Sequence, residues 1–375
     1  MRACVVGGGP AGIFISKYLA DKGIEINLLE KENKLLGNYN YAKQKTDILK
    51  NLRNNEKIKV YLNTDHRRIK DEDYDFYVLA TGGVQRELDI KGKENLYNSM
   101  SLIRGIYNSN EDINNTNLPI IKSIYDKIKL SKCLWPIYDF ISLIKNSFDK
   151  VKRNQLNLDS NALSPELLKN KKIVIIGMGN VCMDLISYLS GIVKEITVLS
   201  RSSFLKAPFD NYLLRELINS KAFELRIEDN FEKPIDRKEE RRYKMIKSDG
   251  DAYSEIEIVD NKNSTNKKTN NGSSKTLNRI NEKPFKPKLN LIFQSTPIEV
   301  QKNKILHKVN KSLREECFDF AVNSTGFIPN KIELNTNKKV YSVGWCDKGR
   351  GNLGDAKVEA KALADKIISN IQSMK

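Results

Sequence analysis

The sequence is poor in the features that mark several common classes of protein. Its five cysteines are scattered without a C-x-x-C pair, which argues against a dithiol oxidoreductase of the thioredoxin reductase type and favours reduced thiols. No apolar run reaches the roughly 18 residues that span a bilayer. No Arg- and Ser-rich leader precedes Cys4, so we expect a soluble protein without a cleavable presequence. We predict no metal site.

Charge is plentiful but unequal in sign. Lys and Arg number 64 against 47 for Asp and Glu, a formal net charge of +17. Such a field attracts acidic partners. However, Lys, Asn and Ile are abundant throughout, as AT-rich coding favours, so we assign function only to particular basic clusters and predict no nucleic-acid partner. The 375 residues suffice for two domains of ordinary size.

The first thirty residues form one recognisable unit. They contain an apolar run, a glycine turn, a segment with helical spacing, a second apolar run and an acid: Ala3 to Val6, Gly7 to Gly12, Ile13 to Lys22, Ile24 to Leu29 and Glu30. Gly7, Gly9 and Gly12 have the G-x-G-x-x-G spacing of a dinucleotide-binding βαβ unit. The glycines allow a tight turn, close approach of a pyrophosphate and close packing of helix on strand. The Gly-Gly-Gly-Pro-Ala-Gly form is usually seen with FAD.

A second unit of the same kind begins near residue 171. Lys171 to Ile176 is an apolar strand that leads into Gly177 and Gly179, and a helix follows. Each unit also has a returning strand, which ends in Ala80-Thr81-Gly82 in the first and Ser324-Thr325-Gly326 in the second. We therefore predict an α/β protein with two doubly wound, Rossmann-like modules.

The strand at 195–199 of the second unit ends in Ser200-Arg201-Ser202, where an adenosine ribose is read. An acid at this position favours NAD, whereas the charge of Arg201 and the hydroxyl of Ser202 suit a 2′-phosphate. We predict NADP(H).

The remaining segments divide the chain. We assign 1–109 and 331–375 to an FAD domain, and 166–330 to an NADP domain inserted into it. Residues 110–165 are predicted to form an inserted helical segment, with a partner-binding or membrane-touching element as the alternative. Residues 260–283 are rich in Asn, Lys, Ser and Thr and predict an unstructured excursion.

Taken in order, these motifs resemble the adrenodoxin reductase family, the mitochondrial-type ferredoxin–NADP reductases. The segment Gly177 to Asp184 matches that family's Gly-x-Gly-Asn-Val-Ala-x-Asp. Downstream, Arg201, Pro208-Phe209 and Leu214 to Leu217 keep its order, and Gly344-Trp345 replaces the Gly-Asp common in other flavoproteins. The stretch Gly37 to Thr46 departs from the family's signature after Gly37, and the family's nucleotide-contacting acid falls at Leu213.

The resemblance implies a set of site residues. We predict Asp184 and Trp345 as catalytic. The predicted FAD contacts are Gly7, Gly9, Ala11, Gly12, Glu30, Thr81, Gly82, Gly344, Trp345, Asn352, Leu353 and Gly354. The predicted NADP(H) contacts are Gly177, Met178, Gly179, Asn180, Val181, Arg201 and Ser202.

The resemblance also implies a function, in which NADPH reduces FAD and single electrons pass to an acidic [2Fe-2S] ferredoxin for iron–sulfur cluster assembly. The ferredoxin would meet Arg215, Arg237 and Arg241. On a helix, Arg237 with Arg241 and Lys238 with Arg242 would form two adjacent basic ridges. We expect a monomer in a mitochondrion or relict mitochondrion, with the cytoplasm as the alternative. The competing functions are a reductase like the glutamate synthase small subunit and a nucleotide-binding scaffold without catalysis.

Overall fold

The computed structural model describes residues 1–43, 45–53, 55–68, 73–115, 165–247, 256–260 and 286–373. Almost all of the predicted helical insertion at 110–165 and of the predicted excursion at 260–283 lies outside these residues. Within the described residues, no helix is long and apolar enough to cross a membrane.

The strands and helices follow one another in the order of two α/β modules. The strands are β1 Arg2–Val6, β2 Glu25–Leu29, β3 Ile58–Tyr61, β4 Phe76–Leu79, β5 Gly83–Gln85, β6 Leu96–Asn98, β7 Lys172–Ile176, β8 Glu195–Leu199, β9 Glu224–Asp229, β10 Ile256–Asp260, β11 Lys288–Ile292, β12 Ser295–Val300, β13 Lys304–Val309, β14 Ser312–Cys317, β15 Phe320–Asn323, β16 Phe327–Pro329 and β17 Lys339–Ser342. The helices are α1 Pro10–Asp21, α2 Ser99–Asn115, α3 Pro165–Leu168, α4 Asn180–Leu189, α5 Asn211–Ser220, α6 Arg237–Lys247, α7 Trp345–Lys348 and α8 Leu353–Gln372.

The first module is a parallel sheet in the order β17-β4-β1-β2-β3. Its central strand is apolar from Ala3 to Val6 because both faces of a parallel sheet are buried. Helices α1 and α8 pack together against one face, and Ile13, Leu19 and Ile367 belong to that core. As predicted, the strand before Ala80-Thr81-Gly82 returns beside β1.

The second module is a larger parallel sheet in the order β10-β9-β11-β8-β7-β15-β6. The strand before Ser324-Thr325-Gly326 returns beside β7, as the motif predicts. Two glycine-rich βαβ units with returning strands confirm the predicted fold class of two Rossmann-like modules, the second inserted into the first.

Strand β6 belongs to the second sheet, where Leu96 to Asn98 pair with β15. Helix α2, which follows it, packs against α4 of the same module. The predicted first domain extends to residue 109, and this boundary is wrong for 96–109. A strand of three residues has too little pattern to show which sheet it joins.

Two small antiparallel sheets complete the fold. Strands β12, β13 and β14 form a meander, and β5 pairs with β16. Strand β5 follows β4 of the first sheet, and β16 follows β15 of the second. The chain passes between the modules after each of these strands, and the β5–β16 pair connects the two passages.

Helix α8 begins at Leu353, inside the glycine-rich segment of Gly349, Gly351 and Gly354. The reason is a capping box, in which the Asn352 side chain accepts from the Asp355 amide and the Asp355 side chain accepts from the Asn352 amide. Its N-terminus therefore lies in the glycine loop after β17.

Candidate functional site

The first glycine turn combines tight contacts with one open position. A Cβ on Gly7 would lie 2.4 Å from the Ala80 carbonyl oxygen, and one on Gly12 would lie 1.9 Å from the Gly7 carbonyl oxygen. A Cβ on Gly9, in contrast, would meet no atom within 4 Å. Gly9 is the N-cap of α1, whose free N–H groups favour an anion. Space and donors for a diphosphate are therefore present at this turn.

Glu30 lies at the end of β2, beside the same turn, and its side chain is buried. Its Oε2 accepts from the Gly8 amide over 2.8 Å and its Oε1 from the Glu32 amide over 2.9 Å. These bonds hold the carboxylate in one orientation. Each oxygen has a further lone pair for a ribose hydroxyl.

The loop after β17 approaches α1 closely. Gly344 has a positive φ of 74°, and a Cβ there would lie 2.6 Å from the Ala11 Cβ. Trp345 donates from Nε1 to the Gly351 carbonyl oxygen over 2.9 Å, and its ring centroid lies 4.6 Å from that of Phe327. The indole is thus held at the edge of the glycine loop that leads to α8.

Thr81 and Gly82 bond to the chain segment that returns from the second module. The Thr81 hydroxyl donates to the carbonyl oxygen of Asn330, and the Asn330 amide donates to the Gly82 carbonyl oxygen over 3.1 Å. At the start of α8, Leu353 is half-buried against the first core, whereas Gly354 is exposed. The Thr81-Gly82 turn is therefore fixed by the returning segment, and the start of α8 is packed on the first core through Leu353.

The second glycine turn repeats the first. A Cβ on Gly177 would lie 2.4 Å from the Ser324 carbonyl oxygen, whereas one on Gly179 would meet nothing within 4 Å. Gly179 is the N-cap of α4, so open space again faces a helix N-terminus. The Met178 side chain is buried in the core, with its Sδ 3.9 Å from the Cys182 Sγ, and Val181 is half-buried.

The loop with Arg201 and Ser202 has a fixed backbone and an exposed arginine. The Ser202 carbonyl oxygen accepts from the Gln294 amide over 3.2 Å, and the Phe204 amide donates to Asp229 Oδ2 over 3.0 Å. The Arg201 side chain is exposed at the end of β8. Its charge is available to an anionic group bound at the edge of the sheet where the second glycine turn lies.

Arg242 stabilises the continuation of this loop at residues 204–209, a role that the sequence pattern did not indicate. Its fully buried guanidinium donates to Asn211 Oδ1 and to four carbonyl oxygens, those of Phe204, Leu205, Ala207 and Phe209, over 2.6 to 3.0 Å. Burial lowers its pKa to about 10. The predicted second basic ridge of Lys238 and Arg242 is therefore wrong, because Arg242 is part of the interior.

Asp184 lies between the two modules. Its Oδ1 accepts from the Lys43 amide over 3.3 Å, and desolvation by burial raises its pKa to about 6. The Tyr188 hydroxyl, one helical turn along α4, donates to the Tyr41 carbonyl oxygen over 3.1 Å. Asp184 therefore holds the backbone at Lys43 against the second module.

Aromatic and basic side chains surround the same contact. The Lys43 Nζ lies 4.0 Å from the Tyr188 ring centroid, and the rings of Tyr41 and Tyr107 meet edge to face at 5.3 Å. Arg104 donates to Asn38 Oδ1 over 2.7 Å. The stretch that departs from the family signature thus contacts both α2 and α4, a role that no local pattern indicated.

Residues 1–260 match the family described as pyridine nucleotide-disulphide oxidoreductase. The match includes both glycine turns, Glu30 and Arg201. The chain belongs to this family. Membership confirms FAD and NADP(H) as the cofactors and an oxidoreductase as the class of protein. Although the family name refers to disulphides, the described cysteines are unpaired, with Cys4, Cys182 and Cys346 buried and Cys317 exposed.

Solved structures with the same fold include FprA, an oxidoreductase of Mycobacterium tuberculosis. Its complex with NADPH has a TM-score of 0.63 and 15% identity, over 99% of this chain and 85% of that chain. Histamine dehydrogenase from Rhizobium sp. 4-9 has a TM-score of 0.52 and 9% identity, over 97% of this chain and 43% of that one. A comparison with curated proteins finds no match.

The residues present fit both cofactors of this family. At each glycine turn the position before the helix is open, whereas the neighbouring glycines admit no side chain. FAD would be held at Gly7 to Gly12 and Glu30, and NADP(H) at Gly177 to Val181 with Arg201 and Ser202. The second glycine turn lies close to the start of α8, since Asn180 at the start of α4 and Asn352 at the start of α8 both donate to Oδ2 of Asp210.

Proposed function

We propose that this chain is an NADPH-dependent reductase that passes single electrons to an acidic [2Fe-2S] ferredoxin. The observation that carries the proposal is the meeting of the two helix starts, because Asn180 of α4 and Asn352 of α8 share one carboxylate oxygen of Asp210. A nucleotide at the start of α4 would then lie close to the loop before α8, which the family resemblance assigns to the flavin. FAD, when bound, accepts two electrons at a time and can release them singly.

The chain's own contribution to this chemistry is positioning. The open positions at Gly9 and Gly179 let the backbone approach each diphosphate. Arg201 and Ser202 would bind the 2′-phosphate of NADPH by charge-assisted hydrogen bonds. Trp345 is proposed to contact the flavin, and Asp184 would hold the backbone of Lys43.

The proposal of an acidic ferredoxin as the partner rests on exposed positive charge. Arg215 on α5 and Arg237 and Arg241 on α6 are exposed. The two helices are joined where Asn211 Nδ2 donates to the Lys238 carbonyl oxygen over 3.0 Å. An acidic protein would meet three exposed arginines here. We further propose that the protein is a monomer located in a mitochondrion or relict mitochondrion. The electrons that it passes to the ferredoxin would serve iron–sulfur cluster assembly.

The test starts from the absorbance spectrum of the purified protein. Flavin bands in the blue region, bleached under anaerobic conditions by NADPH, would support both cofactor sites together. Addition of an oxidised [2Fe-2S] ferredoxin should then restore the flavin bands and reduce the iron–sulfur centre.

Each failure has a distinct meaning. A colourless protein that does not take up FAD would favour the non-catalytic scaffold. Bleaching by NADPH without transfer to any ferredoxin would favour a reductase of small molecules, as in the glutamate synthase small-subunit group.

A further inference from the structure

Asp210 occupies the N-cap of α5, yet its side chain makes no capping bond to that helix. An aspartate at this position ordinarily accepts from the amide two or three residues on. Here Oδ2 instead accepts from Asn180 Nδ2 over 2.8 Å and from Asn352 Nδ2 over 3.3 Å. The carboxylate is therefore turned away from its own helix and toward two others.

The orientation of both amides follows from their other bonds. Asn180 Oδ1 accepts from the Asp210 amide over 2.9 Å, so its Nδ2 must face the carboxylate. Asn352 Oδ1 accepts from the Asp355 amide over 3.0 Å, so its Nδ2 is likewise the group that reaches Asp210. One carboxylate oxygen thus collects one donor from each module.

We infer that Asp210 is a positioning residue, which fixes the distance between the nucleotide turn and the flavin-side helix. This inference rests on the proposed NADPH-to-flavin reaction. In that step the C–H bond of the reduced nicotinamide breaks, and the hydrogen moves with both bonding electrons to the flavin. NADPH is oxidised to NADP⁺ as FAD is reduced. Asp210 donates nothing to the step and acts only through Asn180 and Asn352.

A link of this kind affects rate more than affinity. Each cofactor is held mainly within its own module, whereas hydride transfer needs the two rings at about 3 to 3.5 Å. A displacement of about 1 Å at that distance can cost about 100-fold in rate. Loss of the link should therefore lower the transfer rate at saturating NADPH and leave both dissociation constants nearly unchanged.

The experiment compares Asp210→Ser with Asp210→Asn in the FAD-bound protein. Serine can still cap α5 but is too short to reach Asn352, whereas asparagine keeps one oxygen in the place of Oδ2. Asp236→Ser is the matched control, because Asp236 is an exposed aspartate before the next helix that accepts from the Glu239 amide. Flavin reduction by saturating NADPH is followed by stopped flow.

We expect Asp210→Ser to slow flavin reduction about 10- to 100-fold. Asp210→Asn should retain the rate within about threefold, and Asp236→Ser should match the wild type. The dissociation constants of FAD and NADP⁺ should change less than about threefold in all three variants. A wild-type rate in Asp210→Ser, or a slow rate in Asp210→Asn equal to that of the serine variant, would overturn the inference while leaving the proposed function intact.

Hydrogen exchange supplies a readout that does not depend on turnover. The first-turn amides of α8 should exchange faster in Asp210→Ser than in Asp210→Asn, with FAD and NADP⁺ both present. If wild-type flavin is not reduced by NADPH, the proposed function fails, and this exchange difference still decides whether Asp210 joins the modules. Equal exchange in the two variants would refute the link.

Discussion

The backbone amide of Lys43 donates a hydrogen bond to Oδ1 of Asp184, across the contact between the two modules. The carboxylate is largely desolvated there, and neighbouring Glu216 adds to the rise in its pKa, to about 6. A side chain that the resemblance implied to be catalytic thus also holds a segment of the first module. Its ionisation is coupled to that contact.

Asp184→Asn should stabilise the protein at neutral pH. Because the pKa in the folded protein lies above its usual value of 3.8, the folded state binds the proton more tightly than the unfolded chain does. Stability from this group therefore falls as the pH rises from about 4 to about 6. Asparagine keeps the acceptor for Lys43 without the charge, so thermal unfolding at pH 7.5 should show a gain of about 1 to 2 kcal/mol.

The gain should vanish near pH 4, where the wild-type carboxyl is protonated. Asp229 also has a pKa raised by burial to about 6, but it is present in both proteins and cancels in the comparison. If the variant and the wild type differed in stability by the same amount at pH 4 and at pH 7.5, ionisation of Asp184 would not be the cause.

Arg201→Ala should raise the KM for NADPH far more than the KM for NADH. A charge-assisted contact to phosphate contributes about 1.5 to 3 kcal/mol, which is roughly one to two decades in affinity. Lys206→Ala is the matched control, because Lys206 is an exposed cation of the same loop that pairs with Glu232. Equal losses with both nucleotides would contradict a 2′-phosphate contact at Arg201.

Gly9→Ala and Gly12→Val should fail in different ways. A side chain at Gly12 meets the Gly7 carbonyl oxygen and forces α1 off β1, so this variant should lose FAD and also stability of the first module. A methyl group at Gly9 meets no protein atom, so the FAD-free protein should keep its melting temperature while FAD binding weakens. If Gly9→Ala bound FAD as tightly as the wild type, the open position would not be the diphosphate site.

Arg242→Met should destabilise the second module by about 3 kcal/mol or more, because four buried carbonyl oxygens lose their donor. Arg241→Met is the adjacent exposed control and should change the free energy of unfolding by no more than about 0.5 kcal/mol. Urea unfolding checks both. Similar effects in the two variants would mean that the guanidinium of Arg242 adds little.

The architecture was predictable because each glycine turn begins with a residue whose positive φ favours glycine. Gly7 and Gly177 have φ values of +111° and +104°, and apolar strands precede both. Such local requirements leave a mark in the sequence. The same is true of the Ala-Thr-Gly and Ser-Thr-Gly ends, which identify the returning strands.

Contacts between distant segments left no such mark. Asp210 has the pattern of an ordinary helix cap, and nothing local shows that its side chain serves Asn180 and Asn352 instead. Arg242 lies in a run of charged residues whose spacing predicted a surface ridge, and only the packing of α6 on the loop at 204–209 buries it. The role of each side chain is set by partners that are distant in the sequence.

Arg215, Arg237 and Arg241 form the basic surface proposed to bind the ferredoxin. Changing all three to Glu should slow ferredoxin reduction at low ionic strength by about tenfold or more, chiefly through the association rate. The wild-type rate should fall steeply with added salt, and the variant should lose that dependence. Reduction of ferricyanide by NADPH should change little, because a small acceptor needs no docking. The matched control reverses Lys357, Lys361 and Lys366, three exposed cations of α8. If both triple variants slowed ferredoxin reduction equally, net charge rather than this surface would be responsible.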